Sequence, residues 1–145
     1  MKKYALAASI GIVVAVAAAF WAINVREAKA PVAIPASKDD LIVVDTPLPG
    51  AIVASPLTIS GRARGTWYFE ASFPVRMLDA KGNELGVLPA QAQGEWMTTE
   101  YVPFIVDLAF ATSTTATGTL VLEKDNPSGL PEHANELRIP IRFQP

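Results

Sequence analysis

The chain contains no cysteine, which excludes a disulfide framework, a thiol nucleophile and the lipid-modified cysteine of a bacterial lipoprotein. Histidine is almost as scarce. His133 is the only one, so a His-based triad or a multi-histidine zinc site would have only carboxylates as partners. The nucleophile motifs G-x-S-x-G and S-x-x-K are also missing. We interpret His133 as a solvated loop residue and predict a protein that is not an enzyme, without catalytic residues, cofactor or metal site.

The chain also lacks a basic patch. From Leu41 onward, seven Lys and Arg residues stand against eleven Asp and Glu residues, which gives a formal net charge of −4. Nucleic-acid phosphates bind to clustered positive charge, so we predict that the protein does not bind nucleic acid.

The one long apolar run lies at the N-terminus. Tyr4–Ile23 carries no charge, and a helix of that length spans the roughly 30 Å hydrocarbon core of a bilayer. Lys2 and Lys3 precede the run, and positive residues favour the cytoplasmic side. We therefore predict a single-pass anchor in the plasma membrane, with the N-terminus in the cytoplasm and the C-terminal domain outside it.

A cleaved signal peptide is the alternative interpretation of this region. Ala28-Lys29-Ala30 has the small-x-small form of a processing site, but the apolar run is longer than the about 7 to 15 residues of a signal peptide. Pro31 would also follow the cut and hinder the peptidase. We favour the retained anchor, which divides the chain into an anchor at 1–25, a linker at 26–40 and a folded domain at 41–145.

Alternating apolar residues dominate the rest of the chain. Residues 67–78 and 102–110 alternate over long stretches, as half-buried strands do. Shorter strands are predicted at 41–44, 52–59, 84–88, 119–123 and 137–143, with turn residues between them. About seven short strands without a helical period favour a two-sheet antiparallel sandwich, with a small closed barrel of the OB type as the alternative.

Two carboxylates on outward faces of predicted strands are the candidates for catalysis. Glu70 and Asp107 are such a pair, and two carboxyl groups at the right separation suffice for glycoside hydrolysis. Nothing in the sequence brings them together, so we favour a solvated or ion-paired surface with Arg76 and Arg142 as partners. Asp125–Gly129 offers oxygen ligands for calcium but lacks the EF-hand spacing, and we interpret it as a turn.

Aromatic residues are the remaining candidates for binding. Trp67 is in phase with a buried face and Trp96 occupies an expected core position, whereas Tyr68 and Tyr101 are out of phase and predicted to be exposed. Exposed rings stack on sugars or anchor protein partners. Together with Glu70, Tyr68 and Tyr101 form the predicted binding surface.

A block of prolines and glycines carries a resemblance to a known family. It reads Thr46-Pro-Leu-Pro-Gly50 and then Val53-Ala-Ser-Pro-Leu-Thr-Ile-Ser-Gly61. Weaker matches follow at Phe69-Glu70, Asp79 to Gly82, Trp96 and Gly118-Thr-Leu-Val-Leu122. The pattern resembles the immunoglobulin-like domain associated with bacterial spore-germination proteins of the GerM type, from about Leu41 to Phe143. The resemblance implies an all-β, immunoglobulin-like antiparallel β-sandwich in the bacterial envelope, with no catalytic residues to carry over.

These observations predict a non-catalytic, membrane-anchored module of the cell envelope that binds another envelope protein or stabilises an assembly. A module that binds cell-wall polysaccharide through exposed aromatics is the alternative, and a hydrolase built on Glu70 and Asp107 is less favoured. The prolines and glycines near the start of the domain are interpreted as fold-setting turns. We therefore expect function on exposed faces and in the loops near Ala111 and Asp125.

Overall fold

The computed structural model describes residues 34–145, which form nine β-strands and two 3₁₀ turns. The 3₁₀ turns are Gly65–Trp67 and Pro131–His133. The strands are β1 (Ala36–Lys38), β2 (Ile42–Thr46), β3 (Ile52–Val53), β4 (Leu57–Arg64), β5 (Ser72–Asp79), β6 (Glu84–Ala92), β7 (Tyr101–Leu108), β8 (Thr117–Glu123) and β9 (Glu136–Phe143). The described part of the chain is therefore all-β.

Hydrogen bonds join these strands in the order β1-β2-β4-β7-β6-β5-β8-β9-β3. Neighbours are antiparallel, except that β3 runs parallel to β9. The pairing of β6 with β7 is short and consists of two residue pairs, Gln91 with Ile105 and Ala92 with Phe104. At this junction the sheet divides into two layers, β1-β2-β4-β7 and β6-β5-β8-β9-β3, which make up an immunoglobulin-like sandwich.

A single apolar core lies between the two layers. Alternate residues of β4, β5, β7 and β9 are buried, as the two-residue period of a strand requires. Phe73 on β5 packs edge-on against Phe104 on β7, with ring centroids 5.0 Å apart, and Tyr68 packs against Phe73 at 5.1 Å. Because β5 and β7 belong to different layers, these ring contacts hold the layers together.

The chain changes layers early, through part of the proline- and glycine-rich block. β2 ends at Thr46 beside β4, and β3 begins at Ile52 beside β9. Between them, Gly50 has a φ of +78° and donates its N–H to the Pro140 carbonyl at 2.7 Å. The Pro140 carbonyl on β9 therefore points away from β8. The proline nitrogen, which has no N–H to donate, lies on that same side, so the β8–β9 pairing loses no hydrogen bond.

The structure corrects the predicted strand count and two predicted strands. Nine strands replace about seven, because β1 lies within the predicted linker and the strand predicted at 52–59 is divided into β3 and β4, with residues 54–56 between them. The strand predicted over 67–78 is interrupted, because Glu70 and Ala71 have φ values of +49° and +61°. Phe69 and Ser72 exchange backbone hydrogen bonds across them, as in a two-residue hairpin turn. The strand therefore begins only at Ser72.

The N-terminal predictions lie mostly outside the described residues. The anchor predicted over Tyr4–Ile23 falls entirely before residue 34, as does the first part of the predicted linker at 26–40. Within the last part of that linker, Ala36–Lys38 pairs with β2 as strand β1. Among residues 34–145, no helix is long and apolar enough to cross a membrane.

Candidate functional site

The outer face of the β4–β7 pair presents a tyrosine beneath two arginines. Val102 and Phe104 point into the core, so Tyr101 and Pro103, which alternate with them, point outward. The register places Tyr101 opposite Arg64 and Pro103 opposite Arg62. The Arg64 guanidinium lies 4.0 Å from the centre of the Tyr101 ring and that of Arg62 lies 5.5 Å from it, which are cation–π distances.

Asp40 completes this group from the turn between β1 and β2. Asp39 and Asp40 have φ values of +48° and +56°, which brings the chain sharply back from β1 into β2. The Asp40 carboxylate accepts a 2.7 Å hydrogen bond from the Tyr101 hydroxyl and forms a 2.5 Å ion pair with Arg64. We call Asp40, Arg62, Arg64 and Tyr101 the arginine–tyrosine surface.

Ionisation in this surface is coupled through the same contacts. The Tyr101 hydroxyl, and then the Arg64 guanidinium, hold the pKa of Asp40 below its usual value. The hydrogen bond to Asp40 raises the pKa of Tyr101, and the same carboxylate raises the pKa of Arg64. All three groups therefore keep their ordinary charge states around neutral pH, and the surface presents fixed charges of both signs.

The sequence singled out only Tyr101 of these four residues. Asp40 was predicted to be part of the linker, and the two arginines carried no signal of their own. Their spacing of two residues on one strand, Arg62 and Arg64, places them on one face of β4. That pattern could have identified the pair, but only the β4–β7 register shows that Tyr101 lies opposite.

The predicted exposure of Tyr68 is wrong. Its side chain is 4% exposed, and its hydroxyl donates a 2.7 Å hydrogen bond to the Val102 carbonyl. The chain leaves the strand pattern at the 3₁₀ turn Gly65–Trp67, so the alternation that would have pointed Tyr68 outward does not apply there. Trp67, 1% exposed, is in the core as predicted. Tyr68 is therefore a core residue rather than part of a binding surface.

Glu70 and Asp107 are not brought into a common site. Glu70 lies exposed in the two-residue turn before β5, not on the outward face of a strand as predicted. Asp107 does lie on the outward face of β7, where it accepts a 2.6 Å hydrogen bond from the Thr58 hydroxyl of β4. Glu70 follows the end of β4, whereas Asp107 lies opposite Thr58 near the start of β4, so the length of this strand separates the two carboxylates.

A groove of about 560 Å³ opens beside the loop that contains Asp125. Its walls come from β1, β5, β8, β9 and the loop between β8 and β9, and they carry both amino and carboxylate groups. Its lining is Lys38, Pro74, Glu123, Lys124, Asp125, Asn126, Ala134, Asn135 and Glu136. Lys38 donates to the Glu136 carbonyl at 2.9 Å, which ties β1 to the start of β9.

The loop at Asp125–Gly129 folds as a self-contained turn. Ser128 donates to the Asn126 side-chain oxygen at 2.6 Å, and the Asn126 amide donates to the Leu130 carbonyl at 2.9 Å. Within residues 34–145, no group of three or more His, Cys, Asp or Glu side chains is placed to hold a metal ion. The side-chain oxygen of Asn126 therefore accepts a hydrogen bond inside the turn, as the turn interpretation predicts.

A second, smaller groove of about 280 Å³ lies beside the loop that follows Ala111. Its residues come from the end of β3, the loop after β7 and the end of β9, namely Val53, Ala54, Ser55, Phe110, Thr112, Ser113, Phe143, Gln144 and Pro145. Ser55 accepts a hydrogen bond from the Phe110 backbone, and the rings of Phe110 and Phe143 stand 5.9 Å apart. Both loops that the sequence favoured for function therefore border a groove.

The comparisons with known proteins give one family match. A family model, described as the immunoglobulin-like domain of bacterial spore germination, matches residues 41–129. The matched range runs from the start of β2 into the loop after β8 and covers more than half of the chain. No curated protein and no solved structure matches the chain. The resemblance found in the sequence is thereby confirmed.

Proposed function

Because the chain belongs to the family of immunoglobulin-like domains of bacterial spore germination, we propose that it is a membrane-anchored binding module of the cell envelope. The module is non-catalytic and binds another envelope protein. Its folded domain lies outside the cytoplasm, and the anchor is Tyr4–Ile23 at the N-terminus. This placement rests on the uncharged run and on Lys2 and Lys3 before it.

The observation that supports protein binding is that the side chains of the arginine–tyrosine surface are held in place by contacts with one another. Tyr and Arg are the residue types enriched at the energetic centres of protein interfaces. Here the Tyr101 hydroxyl is held by Asp40, and Arg64 lies over the ring. Side chains that are ordered before binding lose less conformational entropy when a partner docks. Pro103 and Ile105 continue this outer face along β7 and add apolar contact area.

Protein is favoured over cell-wall polysaccharide by the state of the aromatic rings. Sugar stacking needs an open ring face, but Tyr68 and Trp67 are buried and Arg64 covers the Tyr101 ring. Trp96 is half-buried and packs against the core. The candidates for a sugar platform are therefore already committed to contacts within the domain.

In-cell photo-cross-linking tests this proposal. A photoreactive residue at Pro103 borders the arginine–tyrosine surface, and the matched control is the same residue at Val87, which is exposed on β6 in the other layer. We expect the Pro103 probe to capture one defined envelope protein and the Val87 probe to capture none. Tyr101→Ala should reduce the yield by about tenfold or more, as loss of an interface hot spot does.

A second variant tests whether the loss is specific to the arginine–tyrosine surface. Asp107→Asn lies on the same face of β7 but outside the arginine–tyrosine surface, and it should leave the cross-linking yield unchanged. Capture of lipid and random neighbours alone from the Pro103 position would reject the proposal. Retention of the chain on purified cell wall, lost in Tyr101→Ala, would replace the protein partner with a polysaccharide.

A further inference from the structure

Three connections of the domain meet around the 3₁₀ turn Gly65–Trp67. The Gly65 N–H donates to the Glu100 carbonyl at 3.0 Å, which attaches the connection between β6 and β7. The Asp125 N–H donates to the Trp67 carbonyl at 3.0 Å, which attaches the connection between β8 and β9. The third connection, 68–71, follows the turn directly. We call these segments, residues 68–71, 93–100 and 124–135, the three-loop end.

Each connection exposes one large apolar side chain. Phe69 is 41% exposed, Met97 is 74% exposed and Leu130 is 47% exposed. They come from three separate segments that backbone hydrogen bonds hold around one turn. Exposed apolar side chains at one end of a domain are available to a partner, and methionine adapts its shape to that partner.

The same three segments are strongly acidic. They contain five carboxylates and one lysine, which give a formal net charge of −4 with His133 neutral. These residues are Glu70, Glu95, Glu100, Lys124, Asp125 and Glu132. Two of the carboxylates are engaged locally, since Glu95 accepts the Met97 N–H and Glu100 lies 3.9 Å from Arg64. A field of one sign selects partners of the opposite sign and repels those of the same sign.

We propose that the three-loop end docks a cationic protein segment that also carries apolar side chains. Its Lys and Arg residues face the carboxylates, while its apolar residues cover Phe69, Met97 and Leu130. A membrane surface rich in anionic lipids would be repelled by the same carboxylates. A second copy of the domain would bring another charge of −4 against the first, so charge complementarity points to a partner of different composition.

This inference rests on the proposed function and names the chemistry of its partner. The two surfaces are continuous in the chain, because Arg64 directly precedes Gly65 and Tyr101 directly follows Glu100. A partner that covers the three-loop end therefore reaches the arginine–tyrosine surface, where Arg64 and Tyr101 are already ordered.

Peptide binding to the full chain in nanodiscs of zwitterionic lipid tests the inference. The probes are three short peptides that alternate lysine with leucine, lysine with serine, or glutamate with leucine, and empty nanodiscs give the background. We expect the lysine–leucine probe to bind above that background and the other two to bind at least about tenfold more weakly. Its affinity should also fall as salt concentration rises.

Two variants locate the binding. Glu70→Lys with Glu132→Lys removes the net charge of −4, and Phe69→Ser with Met97→Ser and Leu130→Ser removes the apolar side chains. Each set should weaken binding of the lysine–leucine probe by about tenfold. The matched control is Ile52→Ser, an exposed apolar residue on β3 outside the three-loop end, which should leave the affinity unchanged. Circular dichroism confirms that each variant remains folded.

Three results would overturn the inference. The first is equal binding of all three peptides, and the second is unchanged affinity in both variant sets. The third is that the chain instead binds anionic vesicles or associates with itself, and that the triple serine variant loses this binding. If the Pro103 probe still captures a protein in cells, such a failure rejects the three-loop end while the protein-binding function stands. If no protein is captured in cells, the proposed function fails regardless of the peptide result.

Discussion

At the scale of single residues, Tyr68 shows how one hydroxyl is accommodated in an apolar core. A buried polar group is costly unless it finds a hydrogen-bond partner. The Tyr68 hydroxyl reaches the Val102 carbonyl at 2.7 Å, and its ring packs against Phe73. The side chain therefore contributes both apolar area and a satisfied polar contact.

Removing this hydroxyl should destabilise the domain. Tyr68→Phe leaves the Val102 carbonyl without its side-chain donor, and we expect the free energy of unfolding to fall by about 1–2 kcal/mol. Chemical denaturation measures this change. Tyr101→Phe, which removes an exposed hydroxyl, is the matched control and should cause a smaller loss because water replaces the donor. An equal loss in the two variants would contradict the role of burial.

The same tyrosine should make stability depend on alkaline pH. Burial raises the pKa of Tyr68 above its ordinary value of 10.0. The unfolded chain therefore releases this proton near pH 10, while the folded domain retains it, so stability is fully present below pH 10 and falls as the pH rises further. The slope is at most about 1.4 kcal/mol per pH unit.

Chemical denaturation at several pH values between about 9 and 11 measures the slope. Tyr68→Phe should flatten it, whereas Tyr101→Phe should retain most of it. An unchanged slope in Tyr68→Phe would assign the pH dependence to other groups.

At the scale of elements, the turn before β5 holds two ordinary residues in a left-handed conformation. Ala71 has a φ of +61°, which for an L-residue with a Cβ costs about 1–2 kcal/mol. We expect Ala71→Gly to raise the free energy of unfolding by about 1 kcal/mol, since relief of this strain exceeds the added entropy of the unfolded chain. Thermal and urea denaturation check the gain.

The control for this prediction is an alanine with an ordinary backbone. Ala134 has a φ of −70° and is exposed, so Ala134→Gly should lower stability by about 0.5–1 kcal/mol through chain entropy alone. A loss of stability in Ala71→Gly as well would show that the turn is not strained.

Close approach of β2 and β4 depends on Gly61, the last glycine of the block that carries the family resemblance. A Cβ at this position would collide with the Val43 carbonyl and lie 2.9 Å from the Val44 Cα and 3.0 Å from the Phe104 ring. Two of these neighbours are backbone atoms, which have little freedom to move. Gly61 is therefore required by packing between strands.

Gly61→Ala should cost about 3 kcal/mol of stability, because β4 must shift away from β2. Gly94→Ala is the matched control, since a Cβ there meets no atom within 4 Å, and its effect should stay below about 0.5 kcal/mol. Denaturant midpoints compare the two. A tolerated Gly61→Ala would show that the strands can separate without loss of packing.

At the scale of the whole molecule, one core spans both layers, so the described domain should unfold as a unit. Phe73 and Phe104 come from different layers, and Trp67 is buried in the same core. We expect the fluorescence of Trp67 and the far-ultraviolet circular dichroism to report the same denaturant midpoint. Trp21→Phe and Trp96→Phe leave Trp67 as the only reporter. Separate midpoints would show that the layers unfold independently.

Much of the fold followed from local patterns. Val102, Phe104 and Leu108 are buried as their alternation predicts, since strand period alone decides which side chains share a face. The turn before β5 escaped prediction because Glu70 and Ala71 are neither glycine nor asparagine, the usual signals of positive φ. Tyr68 is buried rather than exposed because the 3₁₀ turn Gly65–Trp67 interrupts the alternation just before it.

The sequence by itself determined the all-β class, the outward orientation of Tyr101 and the family, because these depend on residues close together in the chain. Only the tertiary structure decided that Asp40 binds Tyr101, 61 residues away, and that Arg64 lies over the ring. It also decided that three acidic connections, each with one exposed apolar side chain, lie around Gly65–Trp67. Such contacts depend on strand order and register, which are set by packing across the whole core and leave no mark in the spacing of any one segment.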